Sequence, residues 1–333
     1  MIFGKKIESK RIQNLAEDFC KSLVDINEYS IESRYFSGAG PLSLFAMSTI
    51  DTKNKVKYEA VRLIERSFEN FQTGILHGGG VFIFKTIDNS RKLIEFLAKG
   101  EDPRVFEFSQ QYYVYYQIWN SEIGSTELYI TELSCEPSVT YKICNERLFH
   151  GKNWSPFEIS GKLYFVHTYD PFFILEAPEK SEWLNNEVYV KIKNDSEVPK
   201  WEWSDDIERG FVTEYRGGSR GILINNFVYF FGHRTHKKNQ LKHTIFVARF
   251  DYKNNTIDFH DLNDTPDFNL ISDPYGVNLH EDVLELDITL SKGFAGGPNA
   301  STELITFKFH VSQLENMFKN ISFTRTTNYT FAN

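Results

Sequence analysis

Four times along this chain a short polar turn runs straight into a strand of aromatic or alternating residues. Ser109-Gln110-Gln111 precedes Tyr112-Tyr113-Val114-Tyr115-Tyr116, and Ser160-Gly161-Lys162 precedes Leu163-Tyr164-Phe165-Val166. Asn225-Asn226 precedes Phe227-Val228-Tyr229-Phe230-Phe231, and His280-Glu281-Asp282 precedes Val283-Leu284-Glu285-Leu286-Asp287-Ile288. The strands recur roughly every 50 to 65 residues, a spacing suited to four-stranded units that bury their faces only by stacking on neighbours. Over 333 residues this period predicts an all-β chain of five or six blades closed into a β-propeller. A propeller gathers the loops of every blade around one central funnel, so function is sought beside these strands.

The rest of the chain fits one domain spanning 1–333, with no Pro-, Gly- or Ser-rich linker to divide it. Ile12, Leu15, Ala16, Phe19, Leu23 and Ile26 follow helical spacing, which predicts an N-terminal helical extension within residues 1–30. Residues 56–71 read equally as strand or helix, as do Ser90 to Ala98, while Gly78-Gly79-Gly80 opens a strand at 81–84. The charged, Trp-containing segment 177–208 reads as a blade interrupted by a surface excursion.

Aromatic residues make up 16% of the chain and suit half-buried pleated surfaces or the flat faces of ligands. A net charge of −8 argues against a nucleic-acid partner. The start of the chain is charged and no run of about 20 apolar residues occurs, so a soluble, cytoplasmic protein without a membrane span is expected. Cys20, Cys135 and Cys144 are odd in number and not spaced as metal ligands, and read as thiols in a reducing compartment. No phosphate loop, HExxH, CxxC or nucleophile elbow occurs, and neither metal nor cofactor is expected.

Polar clusters flank the strands. Gly100-Glu101-Asp102-Pro103-Arg104 concentrates two carboxylates and a cation, either as a fixed acid with its partner or as a solvated turn. Lys152-Asn153-Trp154 offers a cation, an amide and a broad ring, the groups that recognise sugar hydroxyls and a sugar's C–H face; a Trp acting as a packing anchor is the plainer alternative. Tyr215-Arg216-Gly217-Gly218-Ser219, with His233 and Arg234 on the next strand, suits either an anion site or a close backbone approach. Ser272-Asp273-Pro274-Tyr275-Gly276 and His167-Thr168-Tyr169-Asp170-Pro171 read as second acids at the funnel or as Asp-Pro turns.

Taken in order, Glu101-Asp102-Pro103-Arg104, Lys152-Asn153-Trp154-Ser155-Pro156-Phe157, Gly161 to His167, Gly217-Gly218-Ser219 with His233, and Tyr275-Gly276 with Asp282 resemble a known group. The set is similar to the five-bladed propellers of the β-mannoside phosphorylases, glycoside hydrolase family 130, and of related β-mannosyltransferases, over residues 100–290. The resemblance implies a five-bladed ring with Asp102 as general acid, its proton passing through a sugar hydroxyl. It implies Lys152 and Asn153 where the family holds phosphate with Arg-Asn, and His233 as a further phosphate contact. Two departures follow: Lys152 stands for an arginine, and Thr168 stands where the family has its second phosphate arginine. On these grounds the sequence favours an inverting glycosyltransferase, mannosyltransferase-like, that uses a sugar nucleotide or sugar phosphate and an oligosaccharide acceptor. A β-mannoside phosphorylase or hydrolase, and a glycan-binding propeller without catalysis, are the alternatives. Substrate contacts are expected from Glu101, Arg104, Lys152, Asn153, Trp154, His167, Asp170, Arg216, Gly218, His233, Asp273 and Tyr275.

Overall fold

The computed structural model describes residues 30–34, 42–52, 54–65, 79–88, 90–122, 125–145, 153–169, 172–193, 215–236, 242–262, 271–292, 301–319 and 323–326. These residues form five antiparallel blades. Strand β1 (Ser30–Arg34) is set aside for the last blade. Blade one is β2 (Leu42–Asp51), β3 (Val56–Glu65), β4 (Gly80–Ile87) and β5 (Ser90–Ala98). Blade two is β6 (Glu101–Phe108), β7 (Gln111–Asn120), β8 (Ser125–Glu132) and β9 (Val139–Cys144). Blade three is β10 (Ser155–Ile159), β11 (Lys162–Tyr169) and β12 (Phe172–Glu176). The segment after it sends β13 (Glu187–Tyr189) to β9 in parallel and β14 (Lys191–Ile192) back to β12. Blade four is β15 (Tyr215–Gly217) and β16 (Ile222–Ile224), both on β17 (Phe227–His236), then β18 (Lys242–Asp251) and β19 (Thr256–Asp261). Blade five is β20 (Ile271–His280), β21 (Val283–Lys292) and β22 (Ser301–His310), and β1 completes it from the other end of the chain. Helix α1 (Val311–Met317) and β23 (Phe323–Thr326), which pairs with β19, follow.

The four repeated strands are β7, β11, β17 and β21, the second strand of blades two to five. Their aromatic runs have a physical cause: each lies between two neighbouring blades and is covered on both faces. On β7, Tyr113 and Tyr115 face blade three while Val114 and Tyr116 face blade one. On β11, Leu163 and Phe165 face blade two while Tyr164 and Val166 face blade four. On β17, Val228 and Phe230 face blade three while Tyr229 and Phe231 face blade five. Ser109, Ser160, Asn225 and Glu281 open the four turns at positive φ, between 50° and 56°, as tight hairpin turns require.

β21 alternates because its second face meets something different. Leu284, Leu286, Ile288 and Leu290 pack on blade four, but Asp287 points to blade one. There Thr49 donates to Asp287 Oδ2 at 2.5 Å, Thr306 donates to Oδ1 at 2.6 Å, and Asn278 donates to Thr49 at 3.0 Å. Among the described residues a small apolar group, Leu44, Met47 and Val61 with Leu304, shares this seam, with Leu63 and Phe84 packed against it. The ring is thus closed by polar bonds and by β1.

Of the ambiguous segments, 56–65 is strand β3 and Ser90–Ala98 is strand β5, 66–71 lie outside the described residues, and 177–193 carries β13 and β14 between blades. The N-terminal helix and residues 194–208 lie outside the described residues, and the described α-helix is near the other end of the chain. Among the described residues no helix is long and apolar enough to cross a membrane. Cys135 and Cys144 are free thiols.

Replacing Asp287 by alanine strands the buried hydroxyls of Thr49 and Thr306. Urea unfolding should show a loss on the order of 2–3 kcal/mol, with Asp287→Asn losing less.

Candidate active site

The inner strands all run the same way, so their starting ends gather on one face of the ring. β-Bulges there turn side chains toward the axis. In β6, Glu101 pairs with Gln117 and Arg104 with Tyr115, which leaves Asp102 and Pro103 opposite Tyr116 alone. The same irregularity leaves Phe45 unmatched in β2, His167 in β11 and Tyr275 in β20. A bulge bends the strand and re-aims the extra residue. At Asp102 this takes φ to +46°, a region that L-residues other than Gly, Asn and Asp seldom occupy.

The Asp102 carboxylate is buried and held from two sides. Arg62 of β3 donates to Oδ1 at 2.6 Å and Gln117 of β7 donates to Oδ2 at 3.0 Å. Arg62 also pairs with Glu101 at 3.4 Å and stacks over Phe45, 4.4 Å from its centroid. Burial alone would pull the Arg62 guanidinium down, but Asp102 and Glu101 offset this and hold it above its ordinary value.

Arg104, with no exposed surface, ties three blades together at the axis. Its Nε donates to the Gly218 carbonyl at 2.7 Å, and Nη2 to Asn153 Oδ1 at 3.1 Å and the Gly217 carbonyl at 3.4 Å. Nη1 donates to the Asp102 carbonyl. The two glycines are there because nothing else fits: a Cβ on Gly217 would stand 2.1 Å from the Asn153 carbonyl oxygen, and one on Gly218 would stand 2.3 Å from that of Pro274. Ser48 closes the circle by donating to the Tyr275 carbonyl at 3.1 Å while accepting from Val105 N–H at 2.9 Å.

Between blades four and five sits a second carboxylate. His243 Nδ1 hydrogen-bonds Asp273 Oδ1 at 2.7 Å; His233 Nδ1 lies 3.2 Å from the same oxygen, without hydrogen-bond alignment. Burial pushes the Asp273 carboxyl up, but His243, His233 and Arg104 outweigh this and hold it below the usual carboxylate range. Burial drives His233 down to about 3, so its imidazole is neutral at pH 7. Arg216, opposite His233 in the ladder, is drawn down by burial although both Asp273 and Asp102 act to raise it. That shared influence puts the two carboxylates in one electrostatic neighbourhood. Tyr275 lies there too, its phenol raised by burial and by both acids.

Two imidazoles and a carboxylate are a donor set that transition metals accept, and these atoms lie within 4.8 Å of one another. Yet the rings are stacked, 4.3 Å apart and 15° from parallel, so their in-plane lone pairs run side by side and do not converge. The trio is therefore a carboxylate hydrogen-bonded to one imidazole, on which a second is stacked. Asp51, His280 and Glu285 form a second group at the far ends of β2 and β20, away from Asp102, where Lys308 already pairs with Glu285 at 2.6 Å.

The structure thus brings Glu101, Asp102, Arg104, Asn153, Arg216, Gly218, His233, Asp273 and Tyr275 to one end of the axis. Lys152 and Asp170 lie outside the described residues. Trp154 corrects the expectation of a sugar-stacking platform: it has no exposed surface and packs against Phe165 at 6.0 Å and His167 at 5.1 Å, inside the seam between blades two and three. Arg104 and Gly218 are likewise occupied within the ring. Arg62, Gln117 and His243 escaped the sequence reading. Arg62 sits in a segment of uncertain type, and His243 meets Asp273 only because two blades touch. Gln117 did leave a trace, as a polar residue ending the buried aromatic run of β7.

No family model and no curated relative matches this sequence. Solved structures do resemble it. MPT-4, a mannose phosphorylase from Leishmania mexicana in complex with phosphate, aligns over 97% of this chain and 99% of its own, at 12% identity and a TM-score of 0.53. A β-1,2-mannobiose phosphorylase from Listeria innocua aligns over 87% and 99%, at 12% identity and a TM-score of 0.50. A structure from work on GH130 mannoside phosphorylases and on hydrolases targeting β-1,2 mannosidic linkages in Candida mannan aligns over 82% and 93%, at 12% identity and 0.50. The chain shares the five-bladed propeller of the GH130 mannoside phosphorylases. At 12% identity the likeness is one of fold.

Trp154→Ala should cost about 3–5 kcal/mol of stability, as core Trp truncations do, read by urea unfolding. Acid should also destabilise the fold. The folded pKa of His233, about 3, lies below its unfolded value of about 6.5, so the unfolded chain binds the proton first. Its contribution is complete above pH ~6.5 and is lost as pH falls toward 3; Asp273, also depressed, adds a loss below about pH 4. Melting temperatures taken across pH 7 to 4 should fall, and His233→Gln should flatten the upper part of that slope.

Proposed function

We propose that this propeller is an inverting carbohydrate-active enzyme that cleaves β-linked mannosides or close analogues, with Asp102 as the acid. The observation that carries the reading is Asp102 itself. It is a buried carboxylate re-aimed by a bulge and gripped by Arg62 and Gln117 at one end of the axis. Bulges of this kind are over-represented next to active sites, where they re-aim a side chain. The named activities of the similar structures, mannoside phosphorolysis and hydrolysis, agree with cleavage.

Cleavage by inversion needs one acid, one nucleophile in line from the opposite face and no covalent intermediate. Asp102, once protonated, supplies the proton to the bridging oxygen, through a sugar hydroxyl if the family's route is followed. Transfer from a sugar nucleotide, which the sequence alone favoured, has no support among the similar structures. Cleavage therefore takes precedence, with an oligosaccharide as substrate.

Asp102→Asn separates this reading from a glycan-binding propeller. Asn also tolerates positive φ, so the fold should stand, with a small change in melting temperature. Turnover of β-mannosides should fall about 10²–10⁴-fold, the usual weight of general acid catalysis. An active parent whose Asn variant is equally active would refute the assignment.

A further inference from the structure

Resting on that reading, we infer that Trp119 is a stacking platform on the rim of the Asp102 site, and that it holds the outer of the two sugars joined by the cleaved bond. Trp119 lies on β7, two positions beyond Gln117. The ladder from β7 to β8 runs without a shift from Tyr113 to Asn120, so side chains alternate between the two faces throughout. Val114, Tyr116 and Ile118 face blade one. Tyr113, Tyr115, Gln117 and Trp119 therefore share the face toward blade three. Gln117 is the residue that donates to Asp102 Oδ2 at 3.0 Å. Two residues of extended strand advance about 7 Å, so Trp119 leaves β7 on the same side as Gln117, one such step closer to the open end. The inner strand β6 begins at Glu101, opposite Gln117, and Trp119 stands beyond that first residue.

Trp119 is 56% exposed, more than any other aromatic side chain among the described residues. A single exposed apolar residue is ordinary, but the next two such rings have partners. Tyr189 donates to Glu187 at 2.8 Å, and Phe96 lies 4.6 Å from Phe82. No described ring lies against Trp119. The other aromatic side chains near Asp102 are already engaged: Tyr115 and Tyr275 are buried, and the Arg62 guanidinium lies over Phe45. Trp119 is thus the ring at this end with a face open to a ligand.

An indole is broad and has two side-chain torsions, so it offers contact area at little cost in conformational freedom. Its counterpart is a ring with one apolar face. A mannopyranose with an equatorial substituent at C1 carries H1, H3 and H5 together on one face, and its axial 2-hydroxyl points to the other. Laying that C–H face on Trp119 removes apolar surface of both partners from water and leaves the hydroxyls at the edge to polar groups. The inner sugar and the bond to be cleaved then lie below, toward the Asp102 carboxylate.

The test measures kcat and KM for β-1,2- and β-1,4-mannobiose with the parent protein, Trp119→Phe and Trp119→Ala, and takes a melting temperature for each. The three should melt alike, because the ring is on the rim. KM should rise about 10- to 100-fold in Trp119→Ala, as loss of a ring-sized apolar contact predicts, with kcat changed far less; Trp119→Phe should restore most of the affinity. A cleaving parent whose KM is unchanged in Trp119→Ala would overturn the inference and leave the cleavage reading intact. Binding is followed separately in the Asp102→Asn protein by iodide quenching of tryptophan fluorescence with and without mannobiose. Mannobiose should shield part of the fluorescence, and the shielding should vanish when Trp119→Phe is added. Shielding without turnover by the parent would sink the cleavage reading while supporting the platform. Neither shielding nor turnover would sink both.

Discussion

Arg104 is the constraint on which the site depends. A guanidinium with no exposed surface is costly to bury unless its donors are matched. Here they are matched by oxygens from blade two, from the start of blade three and from the two glycines of blade four. No single blade could satisfy it. The charge therefore acts as a gauge of assembly, since its hydrogen bonds are complete only when three blades stand at the right distance. Gly217 and Gly218 are the counterpart of that arrangement, because a methyl group at either would push the carbonyls of Asn153 or Pro274 out of place.

The five seams are not alike. Four are dominated by aromatic and branched side chains drawn from neighbouring blades. The fifth joins the two ends of the ring and relies on Asp287, Thr49, Thr306 and Asn278 in its place. Apolar packing is tolerant of small displacements, whereas hydrogen bonds at 2.5 to 3.0 Å are directional. A polar seam between first and last blade, backed by β1 pairing with β22, favours one closure over looser ones. Strands β13 and β23 extend the same economy of edges to blades two and four.

At the site end the rules for a good strand are broken repeatedly, at Phe45, Asp102, His167 and Tyr275, one bulge for each of four blades. Much of this was visible in outline. The repeated second strands gave away the architecture because burial on both faces leaves a run of large apolar residues that little else explains. The dense charge of Glu101-Asp102-Pro103-Arg104 falls on the bulge of β6. Trp154 misled because a Trp near polar residues reads the same whether it faces a sugar or a seam. Arg62, Gln117 and His243 stayed hidden because each serves a partner 15 to 40 positions away, through contacts that periodicity does not encode.

The chain by itself determined the all-β class, the period of the blades and the charged cluster at the start of one inner strand. These are local properties: side-chain alternation, turn chemistry and the residue types within a few positions. Only the tertiary structure decided that Arg104 is spent on carbonyls, that Trp154 is interior, and that Asp273 is flanked by two imidazoles. Those outcomes depend on which blade meets which and at what distance, and hydrogen bonding and desolvation act across such contacts without regard to sequence order.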